Sequence, residues 1–446
     1  MYCIIQLFAW WGHGIYLLAV LKTPVRGCSA RVAVRGSRMV NGRRSLNTCL
    51  TYVKMFAVKL LFFTIIIYLS SGSPVTLEEG ATINKKNEKE RGDTTLRLVT
   101  VVMRHGERAP QDTYPNDPYV NNTMEPYGWG QLTNEGRRSQ YNQGLYLRHR
   151  YGDFLGPIYS PDIFYLQSTA VDRTKMSALL VAAALWRPNE KQSFKADLPW
   201  QPVTLFYQPR SEDTLMLIWD TCPRYTKLRH TITSLPEVQQ IQDNNIELYK
   251  ELTNLTGMTI SSPEDVNSLY GTLTAEKQMN LTLPEWSIDY YPDKLEPLTL
   301  YDFKLNGYND ILKRLKGGPL LKKIVTDMLA RKDDTIEPVD RKMFMYIGHD
   351  STVVTLLDVM HVWNNQMPHY NIMTMIELHE DGDDWNVQVF LKNTTDHEPY
   401  PLTIPGCTTV CPLNKFIQIM KPIIPDDWKN ECKVEGDYTP PPAPVP

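Results

Sequence analysis

Short apolar runs rich in β-branched residues recur along the chain, and each is about as long as a buried strand. The two clearest are RLVTVVM at residues 97–103 and MFMYI at residues 343–347. Similar runs predict strands at residues 163–167, 373–378 and 385–391. The pattern therefore predicts a sheet whose strands are largely buried.

Segments with helical spacing follow the first two predicted strands. One predicted helix covers residues 133–150, with Thr133 as its N-cap. A second is predicted to be capped by Ser168 and Thr169 and to run to about Trp186. Strand and helix therefore alternate through this part of the chain.

A third helical segment, residues 353–360, follows the MFMYI run. Residues 210–320 also have helical spacing, but they are polar and interrupted by prolines. Strands and helices that alternate around such an insert predict an α/β sheet domain carrying an α-helical cap. The last residues, 436–446, are too rich in proline to fold, and we expect no stable membrane span in the mature chain.

The charge of the chain is divided unevenly. Residues 1–77 contain nine of the 47 Lys and Arg residues and none of the 50 Asp and Glu residues. The remainder, from Glu78 onward, therefore has a net charge of −12. Because nucleic-acid binding depends on a basic surface, a body this acidic is predicted to bind no nucleic acid.

The basic N-terminal stretch contains a predicted secretory signal peptide at residues 55–73. Lys54 and Lys59 precede a ten-residue apolar run, and small residues follow it. A membrane-spanning helix needs about 20 apolar residues, twice the length of this run. Residues 1–54 are then an upstream extension. The alternatives are a signal anchor at residues 2–21 and an Arg-rich mitochondrial presequence.

Four N-glycosylation sequons also support a secretory route. They are centred on Asn121, Asn254, Asn280 and Asn393, and each has an allowed middle residue. One sequon alone is weak support for secretion. The four together agree with the signal peptide, and the even number of cysteines considered next points the same way. The protein is therefore predicted to be a glycoprotein that is secreted or lysosomal.

Four cysteines remain after the N-terminal stretch, an even number that predicts two disulfides in an oxidising compartment. Cys407 and Cys411 flank three residues, a spacing short enough for a local loop bridge, and this leaves Cys222 to pair with Cys432. Two alternatives stay open. The thiols are free and buried, or the CxxxC spacing is half of a zinc site, for which no second ligand cluster completes the set.

The sequence RHGER directly follows the first predicted strand. In it, His105 lies between Arg104 and Arg108, and Gly106 allows close backbone approach. Two guanidinium groups can hold and neutralise phosphate oxygens in a bidentate way that lysine cannot. One ring nitrogen of His105 can then attack phosphorus while a hydrogen bond fixes the other. An ordinary salt-bridged loop is the alternative interpretation.

Two further segments contribute candidate residues. Arg173 is one turn into the helix predicted after the second strand. In the GHD sequence after MFMYI, Asp350 can act as a general acid and His349 can donate to a phosphate oxygen. The helices that follow these strands would direct their positive N-termini toward an anion. By itself, the His-Asp pair is as consistent with a capping aspartate.

The ordered set of motifs resembles the histidine acid phosphatases, a group that includes prostatic, lysosomal and insect venom acid phosphatases. The motifs are LRLVTVVMRHGERAP, YPNDPY, GWGQLTNEG, STAVDRTKMSA, CPRY, YIGHDSTV, HEPYPLTIPGCTTVCPL and DDWKNEC, and they span about residues 95–435. The resemblance implies a three-layer α/β domain with a mixed sheet, like that of the phosphoglycerate mutases. It also implies that the helical cap is inserted at roughly residues 210–320.

The same resemblance implies roles for six residues. His105 is the nucleophile that forms a phosphohistidine, and Asp350 is the proton donor. Phosphate is bound by Arg104, Arg108, Arg173 and His349. The two predicted disulfides match the family as well. No metal and no other cofactor is implied, and the quaternary state that the family suggests is a homodimer.

The predicted function is hydrolysis of phosphate monoesters by an acid phosphatase, with a small molecule or a phosphoprotein as substrate. A phosphoglycerate-mutase-like phosphotransferase shares the RHG sequence, but the signal peptide and the GHD position disfavour it. A phytase-like inositol-phosphate phosphatase uses the same chemistry, although the acidic body disfavours a polyanionic substrate. The remaining alternative is a catalytically inactive secreted binding protein on the same scaffold.

Overall fold

The computed structural model describes residues 95–436 and 438–441, together with three short strands near the N-terminus. Those strands, Ile5–Gln6, Leu18–Lys22 and Ser29–Ala33, form an antiparallel sheet of their own. They belong to a separate N-terminal unit, Met1–Thr82. The predicted signal peptide and most of the upstream extension lie outside the described residues.

Within the described residues of the main unit, eight strands form one mixed sheet. The strands are β1 (Leu96–Arg104), β2 (Phe164–Ser168), β3 (Phe206–Tyr207), β4 (Met343–Gly348), β5 (Met373–Asp381), β6 (Asp384–Lys392), β7 (Tyr400–Leu402) and β8 (Cys411–Pro412). Their order is β7-β6-β5-β1-β4-β2-β3, with β8 also paired to β6. Pairing is parallel from β1 to β3 through β4 and β2, and antiparallel from β1 through β5 to β7.

Helices cover the sheet and build the cap. They are α1 (Asn134–Leu155), α2 (Asp172–Leu185), α3 (Pro223–Thr231), α4 (Pro236–Asn244), α5 (Ile246–Thr256), α6 (Pro263–Gln278), α7 (Glu296–Asn306), α8 (Asp310–Lys316), α9 (Gly318–Lys332), α10 (Asp350–Val359), α11 (Leu413–Met420) and α12 (Trp428–Glu431). Short 3₁₀ turns occupy Arg210–Glu212, Ile232–Ser234 and Glu285–Asp289.

The sheet is buried on both faces, which explains why its central strands are apolar at nearly every position. In β1, Leu98 and Val102 pack in one core with residues of α9, α10 and α11. The alternate residues Val99, Val101 and Met103 pack in a second core with residues of α1 and α2. The predicted three-layer α/β architecture is therefore confirmed.

The predicted start of α2 is wrong. Its N-cap is Val171, which supplies no side-chain cap, and the helix begins at Asp172. Ser168 is instead the last residue of β2, and its hydroxyl donates to the carbonyl of Thr169 at 2.9 Å. The hydroxyl of Thr169 lies 3.0 Å from His349 on the neighbouring segment. Because both hydroxyls make these contacts at the end of β2, neither of them caps α2. The helix therefore begins after Val171, whose side chain cannot cap it.

The cap consists of α3 to α8 and contains two apolar clusters. One contains Leu252, Val266 and Leu273, and Tyr114 from the loop after β1 packs into it. The other contains Tyr225 and Leu315, together with the cystine of Cys222 and Cys432. The cap core thus includes part of a loop that lies more than 90 residues upstream of the first cap helix.

Both predicted disulfides are present. Cys222 is bonded to Cys432 across 210 residues of sequence, with a Cα–Cα distance of 4.6 Å. Cys407 is bonded to Cys411. Because all four sulfur atoms are used, the alternatives of free thiols and of a zinc half-site at Cys407 and Cys411 do not hold. No group of three or more His, Cys, Asp and Glu side chains among the described residues is arranged to hold a metal ion.

None of the helices in the described part of the chain combines the length and the apolar composition that a bilayer span requires.

One cap carboxyl group is buried without a hydrogen-bond donor. Glu276 in α6 is fully buried, and no donor among the described residues contacts either of its oxygens. Its charged neighbour is Asp117, which is also buried and accepts hydrogen bonds from the Thr113 hydroxyl at 2.5 Å and the Tyr119 amide at 2.6 Å. Burial and then the charge of Asp117 raise the pKa of Glu276 to about 8.

We expect this carboxyl group to make the fold less stable as the pH rises from about 4.5 to about 8. The folded chain retains a proton on Glu276 in that range, whereas the unfolded chain loses it near pH 4.5, so each unit of pH lowers the free energy of unfolding. Thermal unfolding at pH 5 and pH 8 measures the effect. The decrease in Tm should be smaller for Glu276→Gln than for the unchanged protein.

The matched control is Glu285→Gln, because Glu285 is an exposed glutamate of the same cap. It should follow the unchanged protein at both pH values. Parallel pH dependence in Glu276→Gln and the unchanged protein would mean that Glu276 is ionised in the folded state throughout.

Candidate active site

The site lies where the carboxyl ends of three parallel strands meet. In the pairing of β1 with β4, Arg104 is opposite Gly348. The ladder continues one step beyond the strand, because the His105 amide donates to the Gly348 carbonyl at 3.0 Å. On the other side of β4, the Thr169 amide donates to the carbonyl of Ile347 at 3.2 Å. Residues that follow β1, β2 and β4 are thus brought to one edge, where ligands of open α/β sheets bind.

His105 is buried, and each of its ring nitrogens has a defined partner. Nδ1 lies 2.8 Å from the carbonyl oxygen of Gly106, which can only accept, so Nδ1 carries the proton. Nε2 accepts a hydrogen bond from Nε of Arg173 at 3.1 Å. Burial, followed by the charges of Arg173 and Arg104, holds the pKa of His105 well below its usual range. These effects favour the neutral ring, and the lone pair of Nε2 is directed toward Arg173.

Gly106 is required by close packing around the RHGER loop. A Cβ atom on Gly106 would lie 2.5 Å from the Gly136 carbonyl oxygen and 2.8 Å from Cγ of Gln140. Its amide donates to the Ser177 hydroxyl at 3.2 Å, so α1 and α2 both contact this residue. The loop is also joined to the start of α1, because the Thr133 amide donates to the carbonyl of Glu107 at 3.1 Å.

Arg104 connects the RHGER loop to the GHD segment. Its Nη2 lies 2.8 Å from a carboxylate oxygen of Asp350, and its Nη1 donates to the Pro368 carbonyl. The guanidinium carbon is 4.2 Å from the centre of the Tyr370 ring, a cation–π contact. The centre of the same ring is 5.6 Å from that of His105. Tyr370 thus covers both residues on one side.

Arg108 and Arg173 supply two more buried cations. Arg108 is 6% exposed and donates to the Ala109 carbonyl at 3.0 Å. Arg173 is 4% exposed and donates to the Gln111 side chain at 3.0 Å as well as to His105. Burial and then the charge of Arg108 lower the pKa of Arg173 to about 9. This cluster of repelling cations has a strong electrostatic preference for an anion.

His349 and Asp350 begin the segment after β4. His349 is buried, its Nε2 lies 3.0 Å from the Thr169 hydroxyl, and its Nδ1 has no partner among the described residues. Burial, with Arg173 next in effect, holds the pKa of His349 well below its usual range. The carboxyl group of Asp350, the first residue of α10, is 32% exposed at the edge of the site.

The structure brings the six predicted site residues to one strand edge, and their catalytic roles stay predictions. Gln111, Thr169 and Tyr370 also lie in the site, and no sequence motif predicted their place there. None of these three forms a recognisable pattern with the RHGER or GHD segments. They could be found only from the contacts that they make in the folded chain.

The four predicted glycosylation sites differ in exposure. Asn121, Asn254 and Asn280 are exposed, and Asn393 is half-buried. Modification at these positions stays a prediction.

Comparisons with known proteins identify relatives that cover most of the chain. The family model described as "Histidine phosphatase superfamily (branch 2)" matches residues 95–382. A lysosomal acid phosphatase of Homo sapiens is 36% identical over 76% of this chain and 81% of its own length. A prostatic acid phosphatase of Rattus norvegicus is 38% identical over 76% of this chain and 89% of its own length. A venom acid phosphatase of Apis mellifera is 34% identical over 76% of this chain and 87% of its own length.

Solved structures agree with the fold. A phytase from Citrobacter braakii aligns with a TM-score of 0.56 over 76% of this chain and all of its own. A phytase from Hafnia alvei, solved in complex with myo-inositol hexakis sulphate, also aligns with a TM-score of 0.56. Their sequence identities of 17% and 15% support a common fold and carry no information on substrate.

We expect Arg173→Lys to lower kcat/KM for p-nitrophenyl phosphate by about 10²-fold or more. Lysine keeps the charge but lacks the planar fork that reaches both His105 and Gln111. Steady-state kinetics at pH 5 measure the loss.

The control for this change is Lys175→Met. Lys175 is on the same helix but pairs with Asp172 at 3.5 Å and lies over the ring of Tyr207. We expect its kcat/KM to stay within about twofold, as for most surface changes. If Arg173→Lys is as active as this control, Arg173 does not take part in binding the phosphate group.

Proposed function

Because the chain belongs to branch 2 of the histidine phosphatase superfamily and is an acid phosphatase, we propose that His105 is its nucleophile and Asp350 its proton donor. The observation that carries the proposal is the state of the buried His105 ring. Its Nδ1 is bonded to the Gly106 carbonyl, and its Nε2 lone pair is directed into a cluster of arginines. A neutral imidazole held in this way can attack an electrophile that the arginines bind.

In the first step, the phosphoryl group of the substrate binds among Arg104, Arg108, Arg173 and His349. Arg173, which donates to Nε2 of His105 at 3.1 Å, transfers its hydrogen bond to a phosphate oxygen and releases the lone pair. Nδ1 of His349, which has no partner among the described residues, donates to another oxygen. Neutralising the equatorial oxygens favours attack at phosphorus.

In the chemical step, Nε2 of His105 forms a bond to phosphorus as the bond from phosphorus to the alcohol oxygen breaks. Asp350 gives its proton to that oxygen, and the alcohol leaves. A water molecule then attacks phosphorus, the phosphorus–nitrogen bond breaks, and Asp350 accepts a proton from the water. The products are the alcohol and inorganic phosphate, and His105 and Asp350 return to their starting states.

The contact between Arg104 and Asp350 bears on the supply of the proton. Nη2 of Arg104 lies 2.8 Å from a carboxylate oxygen of Asp350, so a bound phosphate competes with Asp350 for this guanidinium. Below pH about 6 a phosphate monoester carries a proton of its own, which it can transfer to Asp350 as it binds. Burial lowers the pKa of His105, which favours the neutral, nucleophilic form of its ring.

We further propose that the protein reaches the extracellular space or the lysosome through the signal peptide at residues 55–73. The names of the lysosomal, prostatic and venom relatives support a secretory route.

A homodimer is the proposed quaternary state. It is supported by the edge strand β3, whose Phe206 and Tyr207 are both exposed, because unpaired strand edges are natural association surfaces. Sedimentation velocity measures the mass in solution.

The function is tested by trapping the phosphoenzyme. The protein is mixed with ³²P-labelled substrate without added metal and quenched in alkali, in which phosphohistidine persists. We expect an acid-labile phosphoenzyme that is absent in His105→Ala, together with a loss of turnover of about 10³-fold or more.

His230→Ala is the control, since His230 is an exposed histidine of the cap. It should retain both turnover and label. Folded, glycosylated protein without turnover would instead support the inactive binding-protein alternative.

The role of Asp350 is tested by the leaving group. We expect Asp350→Ala to reduce kcat/KM, which reports the steps up to release of the alcohol, by about 10²-fold or more for glycerol 2-phosphate and much less for p-nitrophenyl phosphate. The nitrophenolate leaves without protonation, whereas an alkoxide does not. Equal losses on the two substrates would exclude proton donation by Asp350.

A further inference from the structure

A buried pair of amide side chains packs against residues 104–106, which we call the nucleophile loop. Gln140 in α1 is fully buried, and its Nε2 donates to the Asn371 side-chain oxygen at 2.6 Å. The same nitrogen donates to the backbone carbonyl of Arg104 at 3.2 Å. The amide oxygen of Asn371 accepts a second hydrogen bond, from the Ser139 hydroxyl at 3.1 Å. We call Gln140 and Asn371 the amide pair.

The amide pair contacts the backbone of all three residues Arg104, His105 and Gly106. The Gln140 side chain donates to the Arg104 carbonyl, and the backbone N–H of Asn371 donates to the His105 carbonyl at 3.3 Å. At Gly106, Gln140 leaves no room for a side chain, because a Cβ atom there would lie 2.8 Å from its Cγ. These contacts restrict the orientation of the peptide planes in the nucleophile loop.

The Gly106 carbonyl is the group through which these contacts act on the reaction. It accepts the proton of His105 Nδ1 at 2.8 Å and so determines both the tautomer and the direction of Nε2. The Gly106 amide donates to the Ser177 hydroxyl, and the Gln140 side chain occupies the space beside the Gly106 Cα. If Gln140 no longer holds the loop, the carbonyl can rotate and the ring loses its orientation.

The backbone of Asn371 is adapted to this task. Its φ of +67° is in the left-handed region, which asparagine adopts more readily than most residues. That turn directs the backbone N–H of Asn371 toward the His105 carbonyl while Tyr370, the preceding residue, covers Arg104 and His105. The side-chain nitrogen of Asn371 donates to the hydroxyl of Thr395 at 3.2 Å.

We propose that the amide pair positions His105 for attack, as a requirement of the reaction and not only of folding. The inference rests on the proposed function, since it takes His105 as the nucleophile. The two residues touch neither substrate nor reacting atoms, so they are positioning residues. Their effect falls on the rate of phosphoryl transfer to His105. Phosphate affinity depends mainly on the guanidinium groups, and the amide pair does not contact these groups.

The chain provides a matched control on the same helix. Gln143 is also fully buried, and its Nε2 donates to the Asn371 backbone oxygen at 3.1 Å. No contact joins its side chain to Arg104, His105 or Gly106 among the hydrogen bonds of the described residues. Gln140→Met and Gln143→Met therefore remove the same buried amide, and only the first removes a bond to the nucleophile loop.

The experiment measures phosphoenzyme formation in single turnover with labelled p-nitrophenyl phosphate, the fraction of sites that become labelled, the inhibition constant of inorganic phosphate, and Tm. For Gln140→Met we expect an initial rate of labelling about 10- to 100-fold lower and a smaller labelled fraction, because hydrolysis of the phosphoenzyme continues, with the phosphate inhibition constant within about threefold. For Gln143→Met we expect a labelling rate within about threefold of the unchanged protein, at a comparable loss of Tm.

A second variant covers the case in which Gln140→Met does not fold. Asn371→Gly keeps the left-handed backbone but removes the acceptor for Gln140 and Ser139, and we expect its labelling rate to fall in the same way. Equal slowing in both glutamine variants, or a labelling rate unchanged in Gln140→Met and Asn371→Gly, would overturn the inference. Absence of label in the unchanged protein would instead reject the proposed function, so the two failures are distinct.

Discussion

The site depends on the parallel pairing of β1 with β4. This pairing places Arg104 beside Gly348, and the next residue of each segment is a histidine of the site. The ring centres of His105 and His349 lie 5.5 Å apart as a result. Two segments separated by more than 240 residues thereby form one pocket, and the apolar cores on both faces of the sheet hold the strands in that register. A shift of one residue would turn one of the two histidines away.

The same arrangement concentrates positive charge in a largely buried space. Three arginines and two imidazoles lie at this strand edge, and Asp350 pairs with one of the arginines. Such a cluster opposes folding. Burial lowers the pKa of both imidazoles, which favours their neutral forms and limits the repulsion. An anion with several oxygens relieves the repulsion that remains, so the charge that opposes folding also favours the binding of an anion.

Much of the fold could be predicted from the sequence because β1 and β4 are apolar at nearly every position, and the structure places both within one or two residues of their predicted bounds. The start of α2 could not, because Ser168 and Thr169 have the composition of a cap but bind along the strand edge. The six candidate site residues followed from motifs. Tyr370 and the amide pair did not, because their importance comes from contacts between distant segments that no local pattern records.

The disulfide between Cys222 and Cys432 gives the molecule a covalent property that differs from its non-covalent packing. It joins residues 210 positions apart, and the interval between them contains all the cap helices and all the strands from β4 to β8. Hydrolysis of one peptide bond inside that interval would leave the two fragments joined. A chain cut once in that interval would therefore stay in one piece, and its two fragments would separate only after reduction.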